Sequence, residues 1–293
     1  METRRLEMLA ELARLGSMRA VAEAMDTTTS TVSQQIGVLA REMRATLIEP
    51  DGRRVRLTPQ GRRLAEHAVT ILAAVEAARL DVGSDAEPNG TLRAAGFATA
   101  VRRSLLPVVR ELAGTHPRLH VLVREHEPAE ALAMLAADEV DLALTYDYNM
   151  APEPPDPSVW TTRLWTTRWG LAVPDEGALP PADAVDVFAR FRTRDWIVNS
   201  RNTADDVVIG TLGSMAGFHP RITHRADSLD LVQEMIAADL GVGLLPMDVP
   251  VVPGVRILPL ASPHVEMRCY AVAPHGRRDW PPLALVASML AGS

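Results

Sequence analysis

The chain has 293 residues, enough for two or three small domains, and its 47 % hydrophobic and 23 % charged content allows a core of ordinary size. Its 30 basic residues are all arginine, which excludes chemistry that needs a lysine of this chain: a G-x-x-x-x-G-K-[ST] phosphate loop, a Schiff-base lysine, an S-x-x-K hydrolase or a protein kinase. The net charge of −7 is uneven: residues 1–82 carry 12 arginines against 11 acidic residues, and residues 83–293 carry 18 against 26.

Leu6, Leu9, Leu12 and Leu15 recur at helical intervals, so a helix is expected over Arg4 to Leu15, stopped by Gly16. Ser17 can cap a short helix from Met18 to Met25, and Asp26 to Thr28 forms a turn. A third helix is expected from about Thr29 to Met43, with Val32, Ile36 and Leu39 inward. Two short helices joined by a tight turn, after a lead helix, make a helix-turn-helix.

The start of the third helix gathers Thr28, Thr29, Ser30, Ser33 and Gln34. Hydroxyls and an amide there suit phosphates and base edges, although Thr and Ser at a helix start also serve simply as caps. The basic segment after the helix favours the first use. Asp51-Gly52 signals a hairpin turn, Val55-Arg56-Leu57 a strand, and Arg53, Arg54, Arg56, Arg62 and Arg63 form the densest basic cluster in the chain. A polar-tipped helix beside an arginine wing predicts DNA binding through Thr28, Thr29, Ser30, Ser33 and Gln34, with Arg53 and Arg54 on phosphate or in the minor groove.

Thr58-Pro59 places a cap and a first-turn proline before a long helix. Leu64, Ala68, Ile71, Val75 and Ala78 step along it by four and three, a short heptad seam that fits either a dimerisation helix or a helix packed on its own domain. Residues 84–90 form a polar hinge with Pro88 and Gly90.

From Thr91 strands and helices alternate. Strands are expected at Leu92–Gly96, Leu119–Arg124, Val140–Tyr146, Trp196–Asn199, Arg221–His224 and Gly241–Leu245, with helices at Arg102–Ala113, Ala129–Ala137, Asp205–Met215 and around Leu229 to Ile236. This is an α/β region with mostly parallel sheet, whose length allows two lobes joined by crossover strands at Trp169–Pro174 and Met267–Ala273.

Such sheets bind ligands at the carboxyl ends of their strands. The residues there are Ala98, Thr99 and Ala100 after the first strand, and Asn199 to Thr203 in the second lobe, including Ser200, Arg201, Asn202 and Thr203. Glu127, Asp147 and Asp227 also fall at strand or helix ends. Each has an alternative role as a cap or turn residue. The acidic groups leave a zwitterion or a neutral polar ligand as open as an anion.

The lone cysteine, Cys269, excludes an intramolecular disulfide and a multi-thiolate metal site. The eight histidines show no metal-binding spacing, and Gly241-Val242-Gly243 lacks the third glycine of a dinucleotide loop. Neither a metal nor any other cofactor is expected. With no apolar leader segment and no membrane-length apolar run, the expected location is the cytoplasm, away from membranes.

Several stretches resemble the LysR-type transcriptional regulators. They are Leu15-Gly16-Ser17, Ala20 to Met25, Thr31-Val32-Ser33-Gln34-Gln35-Ile36, the D-G-R-R-V-R-L-T-P-Q-G run from Asp51, D-E-V-D-L-A-L from Asp138, and I-A-A-D-L-G-V-G-L-L-P from Ile236. The resemblance implies a winged helix-turn-helix over 1–58, a linker or dimerisation helix and hinge over 59–90, and an effector-binding domain resembling periplasmic binding proteins over 91–293. Its first lobe would take about 91–165 and 266–293, its second about 166–265. It further implies a homodimer or homotetramer on a pseudo-palindromic operator in double-stranded DNA, a small-molecule effector between the lobes, and RNA polymerase as a further candidate partner. Peroxide-sensing members of the family use a second cysteine, which this chain lacks. Two positions depart from the pattern: Gln34 stands where arginine is usual, and Leu47-Ile48-Glu49-Pro50 stands where L-F-x-R is usual. The competing readings are an enzyme or solute-binding domain fused to a helix-turn-helix, and an architectural DNA protein. The absence of lysine, of a G-x-S-x-G elbow and of paired metal ligands opposes an enzyme. The acidic body opposes an architectural protein.

Overall fold

The computed structural model describes residues 2–51, 54–82, 87–154, 156–175, 177, 180, 182–201 and 204–292. Helix α1 spans Thr3–Leu15 and stops where Gly16 turns left-handed at φ 65°, its N–H returning to the Leu12 carbonyl. The Ser17 hydroxyl accepts from the Ala20 N–H to start α2 (Met18–Ala24), and Thr28 likewise starts α3 (Thr29–Met43). Leu6, Leu9 and Leu12 of α1, Val21 of α2, and Val32, Ile36 and Leu39 of α3 close one fully buried core. These are the periodic residues of the sequence.

Strands β1 (Ile48–Asp51) and β2 (Arg54–Leu57) pair antiparallel as the wing. Leu47 is buried in the head core, and a side chain at Gly61 would overlap its carbonyl, so the root of the wing rests on the first turn of α4 (Pro59–Val82). The departure from the family pattern at Leu47 to Pro50 therefore leaves the hairpin in place, seated on Leu47 and a half-buried Ile48.

The long helix corrects one expectation in part. Leu64 and Ala68 are buried in the head core of their own chain, with Ile71 packed against it. They are not free to meet a partner, because α4 first closes over α1. Val75 is half-buried and Ala78 exposed.

The body holds a continuous sheet with parallel strands at both ends. β3 (Gly90–Gly96) lies between β4 (Leu119–Glu125) and β5 (Leu142–Tyr148), all parallel. At the other end β7 (Asp195–Val198) lies between β8 (Arg221–Arg225) and β9 (Val242–Pro246), also parallel. Two long strands, β6 (Val159–Pro174) and β11 (Val265–Pro274), run antiparallel between these halves and join them. They contain the expected crossovers but are longer. β10 (Val255–Pro259), which the pattern did not reveal, pairs with β6.

The helix expected at Arg102 starts earlier. α5 (Ala98–Ala100) passes through a π-turn at Val101–Leu105 into α6 (Leu106–Thr115). Pro107 has no N–H to offer the Arg103 carbonyl, which favours the wider turn. α7 (Pro128–Ala136), α8 (Ala184–Arg190), α9 (Ala204–Met215), α10 (Leu229–Ala237) and α11 (Pro281–Ala291) cover the sheet.

Head and body meet at a charged junction. Asp141, almost fully buried, accepts from the Arg93 backbone at 2.9 Å and from its guanidinium at 2.8 and 3.0 Å. Arg277 pairs with the same Asp141 and, at 2.7 Å, with Asp138. The charges of Glu11 and Arg14, on α1, act on Arg93 and Asp138. Beside them a single 3-10 turn, His275–Arg277, presses Gly276 against Thr70 of α4, where a side chain would overlap the threonine hydroxyl.

Candidate DNA-reading helix and interlobe cleft

Helix α3 presents Thr29, Ser30, Ser33 and Gln34 to solvent, on the face opposite Val32, Ile36 and Leu39. Thr28 is exposed but committed: its hydroxyl accepts from the Thr31 N–H at 3.2 Å and bonds the Ser30 and Thr31 hydroxyls at 2.8 and 2.9 Å. Its oxygen serves as a cap before anything else. Gln35, one residue past the exposed Gln34, is held by Arg5 at 2.9 Å, which ties α3 to α1. Arg54 lies on β2, while Arg53 lies outside the described residues. Arg56 of the wing pairs with Glu49 across the hairpin at 2.9 Å.

The second site lies where the two parallel halves turn their carboxyl ends toward each other. Glu127 follows β4 and caps α7 in a reciprocal box with Glu130. Burial raises its carboxyl to about 7, against the 3.2 Å hydrogen bond that Tyr146 donates to it. Tyr146 and Tyr148 alternate on one face of β5, stacked edge-on between Phe97 and Trp169 with centroids 4.7 to 5.9 Å apart.

From the other half, Ser200 donates to Asp227 through its backbone at 2.7 Å and its hydroxyl at 2.6 Å, and Arg201 donates to it at 2.7 Å. Burial opposes the charge of Asp227, but these donors outweigh it and hold the carboxyl below its ordinary value. Arg201 also reaches Glu130 at 3.4 Å and so spans the two lobes. Asp205, in the first turn of α9, is raised to about 6 by burial.

The structure thus brings Glu127, Ser200, Arg201 and Asp227 together, and adds Tyr146, Tyr148, Glu130 and Asp205. Asp147 is a correction. Strand alternation turns it to the opposite face of β5, where Arg268 of β11 clasps it at 2.8 and 2.9 Å. Ala98 and Thr99 are half-buried at the start of α5, but Ala100 is fully buried and offers no surface. Asn202 and Thr203 lie outside the described residues. The tyrosines had a signal in the sequence, the period-two run L-T-Y-D-Y, while Asp205 looked like ordinary first-turn charge.

Cys269 is fully buried and its thiol is pushed up to about 12 by desolvation. Among the described residues no group of three or more His, Cys, Asp or Glu side chains is placed to hold a metal ion. No described helix is long and apolar enough to cross a membrane.

The family model "LysR substrate binding domain" matches residues 85–292, and "Bacterial regulatory helix-turn-helix protein, lysR family" matches residues 3–62. The chain is 26 % identical to the transcriptional dual regulator GltC of Bacillus subtilis over 84 % of this chain and 81 % of that one. It is 26 % identical to a probable hydrogen peroxide-inducible genes activator of Streptomyces viridosporus over 80 % and 77 %. Among solved structures, full-length OxyR from Pseudomonas aeruginosa superposes with a TM-score of 0.71 at 17 % identity, covering 99 % of this chain and 98 % of that one. Full-length CbnR complexed with its target DNA superposes with a TM-score of 0.52 at 20 % identity, covering 99 % and 98 %. The chain belongs to the LysR family: it is a DNA-binding transcriptional regulator with an effector-binding domain, and not an enzyme.

Proposed function

We propose that the chain reads a specific operator with Thr29, Ser30, Ser33 and Gln34, and that a small molecule held between its lobes by Glu127, Tyr146, Ser200, Arg201 and Asp227 controls that binding. The observation that carries the reading is Arg201, which joins Asp227 of one lobe to Glu130 of the other. A ligand entering there must exchange with this clasp, so the angle between the lobes depends on its occupancy.

Gln34, in place of arginine, favours a bidentate amide contact to adenine over a guanine contact. Arg53 and Arg54 supply phosphate or minor-groove contacts from the wing. Val75 and Ala78 remain the seam positions for a second copy, in a homodimer or homotetramer on a pseudo-palindromic site. CbnR, captured with its target DNA, supports the same docking of the head. Burial of the Cys269 thiol supports control by a bound molecule rather than by thiol oxidation.

The test is operator selection from a random DNA pool, then titrations at several salt concentrations. Gln34→Ala is expected to cost about 1–3 kcal/mol on the best site and to relax one base preference. Arg53→Ala should weaken all sequences alike and reduce the salt slope by about one. Wild-type behaviour of both variants would remove the assignment.

A further inference from the structure

The head touches the body at a place other than the chain that joins them. Helix α4 starts in the head and runs to Val82, beyond which the chain passes to the body. Thr70 lies twelve residues before that end, about 18 Å back along the helix axis. There the 3-10 turn His275–Arg277 sets Gly276 against it. Two attachments that far apart fix the direction of a helix, whereas one attachment at its end does not.

This close approach is what position 276 needs glycine for. Gly276 does not take the left-handed φ that calls for glycine at positions such as Gly16. A Cβ at 276 would overlap the Thr70 hydroxyl. Turning that hydroxyl away would still leave Thr70 Cβ at 3.1 Å, closer than carbon atoms pack. The turn itself is held from behind. Arg277, its last residue, pairs with Asp141 and, at 2.7 Å, with Asp138. Asp141 is almost fully buried and also holds Arg93 of β3 at 2.8 Å.

The turn continues one of the two strands that join the lobes. β11 pairs with β6 from Val265 to Pro274, and His275 follows at once. On its other edge β11 pairs with β5, which carries Tyr146 and Tyr148 of the cleft. A change in the angle between the lobes thus has one continuous strand to act through, and that strand ends against the helix that carries the head.

We infer that Gly276 and Thr70 form the bearing that sets the direction of the head on the body, and with it the spacing at which two copies reach their half-sites. Gly276 is a positioning residue: it touches no DNA and acts through α4. The inference rests on the reading of the operator as two half-sites bound by two copies.

The full-length protein is titrated against a selected operator, against the same operator with its half-site spacing changed by one base pair either way, and against a single half-site. The variants are Gly276→Ala, Thr70→Ala, and Gly276→Ala combined with Thr70→Ala or with Thr70→Gly. Gly276→Ala is expected to lose about tenfold on the operator, to shift the preferred spacing, and to bind the half-site as wild type does. Thr70 is exposed, so Thr70→Ala alone should bind like wild type. In the double variants Thr70→Ala removes the hydroxyl but keeps Cβ and should restore part of the loss. Thr70→Gly leaves only Cα, at 3.5 Å, and should restore more. A variant merely short of folded protein would instead lose operator and half-site binding by the same factor. Wild-type affinity and spacing in Gly276→Ala overturn the inference. So does an equal loss on operator and half-site, or a loss, through misfolding or otherwise, that neither change at Thr70 relieves. Wild-type protein that binds the half-site as tightly as the operator overturns the two-copy reading and the inference with it.

Discussion

The head and the cleft are built in opposite ways. In the head the polar residues proposed to face DNA are exposed, and an all-apolar core behind them fixes their direction. In the cleft Glu127 is buried and Asp205 half-buried, and desolvation holds both away from their ordinary ionisation, while Ser200 and Arg201 stay exposed. A head residue can therefore be changed at little cost to the fold. A change at buried Glu127 or Asp141 moves stability as well, because burial ties the cost of each charge to its neighbours. The difference shows which substitutions separate binding from stability.

The strongest test of this contrast lies at the junction. Asp141 neutralises both Arg93 and Arg277 with its side chain only 3 % exposed. Asp141→Ala leaves Arg93 and Arg277 with only the half-buried Asp138 to share and should cost about 3–5 kcal/mol in urea unfolding. The exposed pair Arg19–Glu23 on α2 provides the control: Arg19→Ala should leave the urea midpoint essentially unchanged. Equal costs would mean that the buried network is no more demanding than the surface pair.

The next largest effect separates function from stability inside the cleft. Glu127 ionises near 7 when folded, well above its unfolded value. As pH rises between those two values, the unfolded chain releases its proton first, so folding stability falls across that window. Glu127→Gln removes this loss. Relative to wild type it should gain up to about 2–3 kcal/mol between about pH 5 and pH 8, read by denaturant unfolding at each pH. A difference that stays flat across that range would show Glu127 to be an ordinary carboxylate. Asp205 contributes in the same direction with a lower midpoint, so the wild-type curve alone does not isolate Glu127.

Legibility in the sequence divides along the same line. Every head element is local: leucines at helical spacing, a glycine stop, Ser17 and Thr28 as caps, a threonine-proline start. Each of these signals acts within a few residues, and α1 to α4 lie close to their expected bounds. The strand and helix order of the body is readable for the same reason. The cleft is only half readable. Glu127, Ser200, Arg201 and Asp227 stand out because strand ends are where ligands bind in such sheets. Their partners Tyr148 and Asp205 are 57 residues apart in the chain and meet only when the lobes face each other. Asp147 is misplaced for a related reason: strand ends can be located from pattern, but whether 146 or 147 faces the cleft depends on the neighbouring strand β11. The heptad seam is ambiguous because one row of small apolar residues suits a partner's helix and the chain's own α1 equally well.

The smallest predicted effect concerns Thr28, where cap and groove contact compete for one hydroxyl. Its oxygen already accepts from the Thr31 N–H. Thr28→Ala should cost about 1 kcal/mol of stability, the usual value of an N-terminal cap. Thr28→Ser keeps the oxygen and should recover nearly all of it. If capping is its whole role, Thr28→Ala lowers affinity for a selected operator and for random DNA by the same factor, through fraying of the first turn of α3. Loss of one base preference, with Thr28→Ser restoring it, would instead place the hydroxyl on the DNA and make the head's reading surface one residue wider than Thr29, Ser30, Ser33 and Gln34.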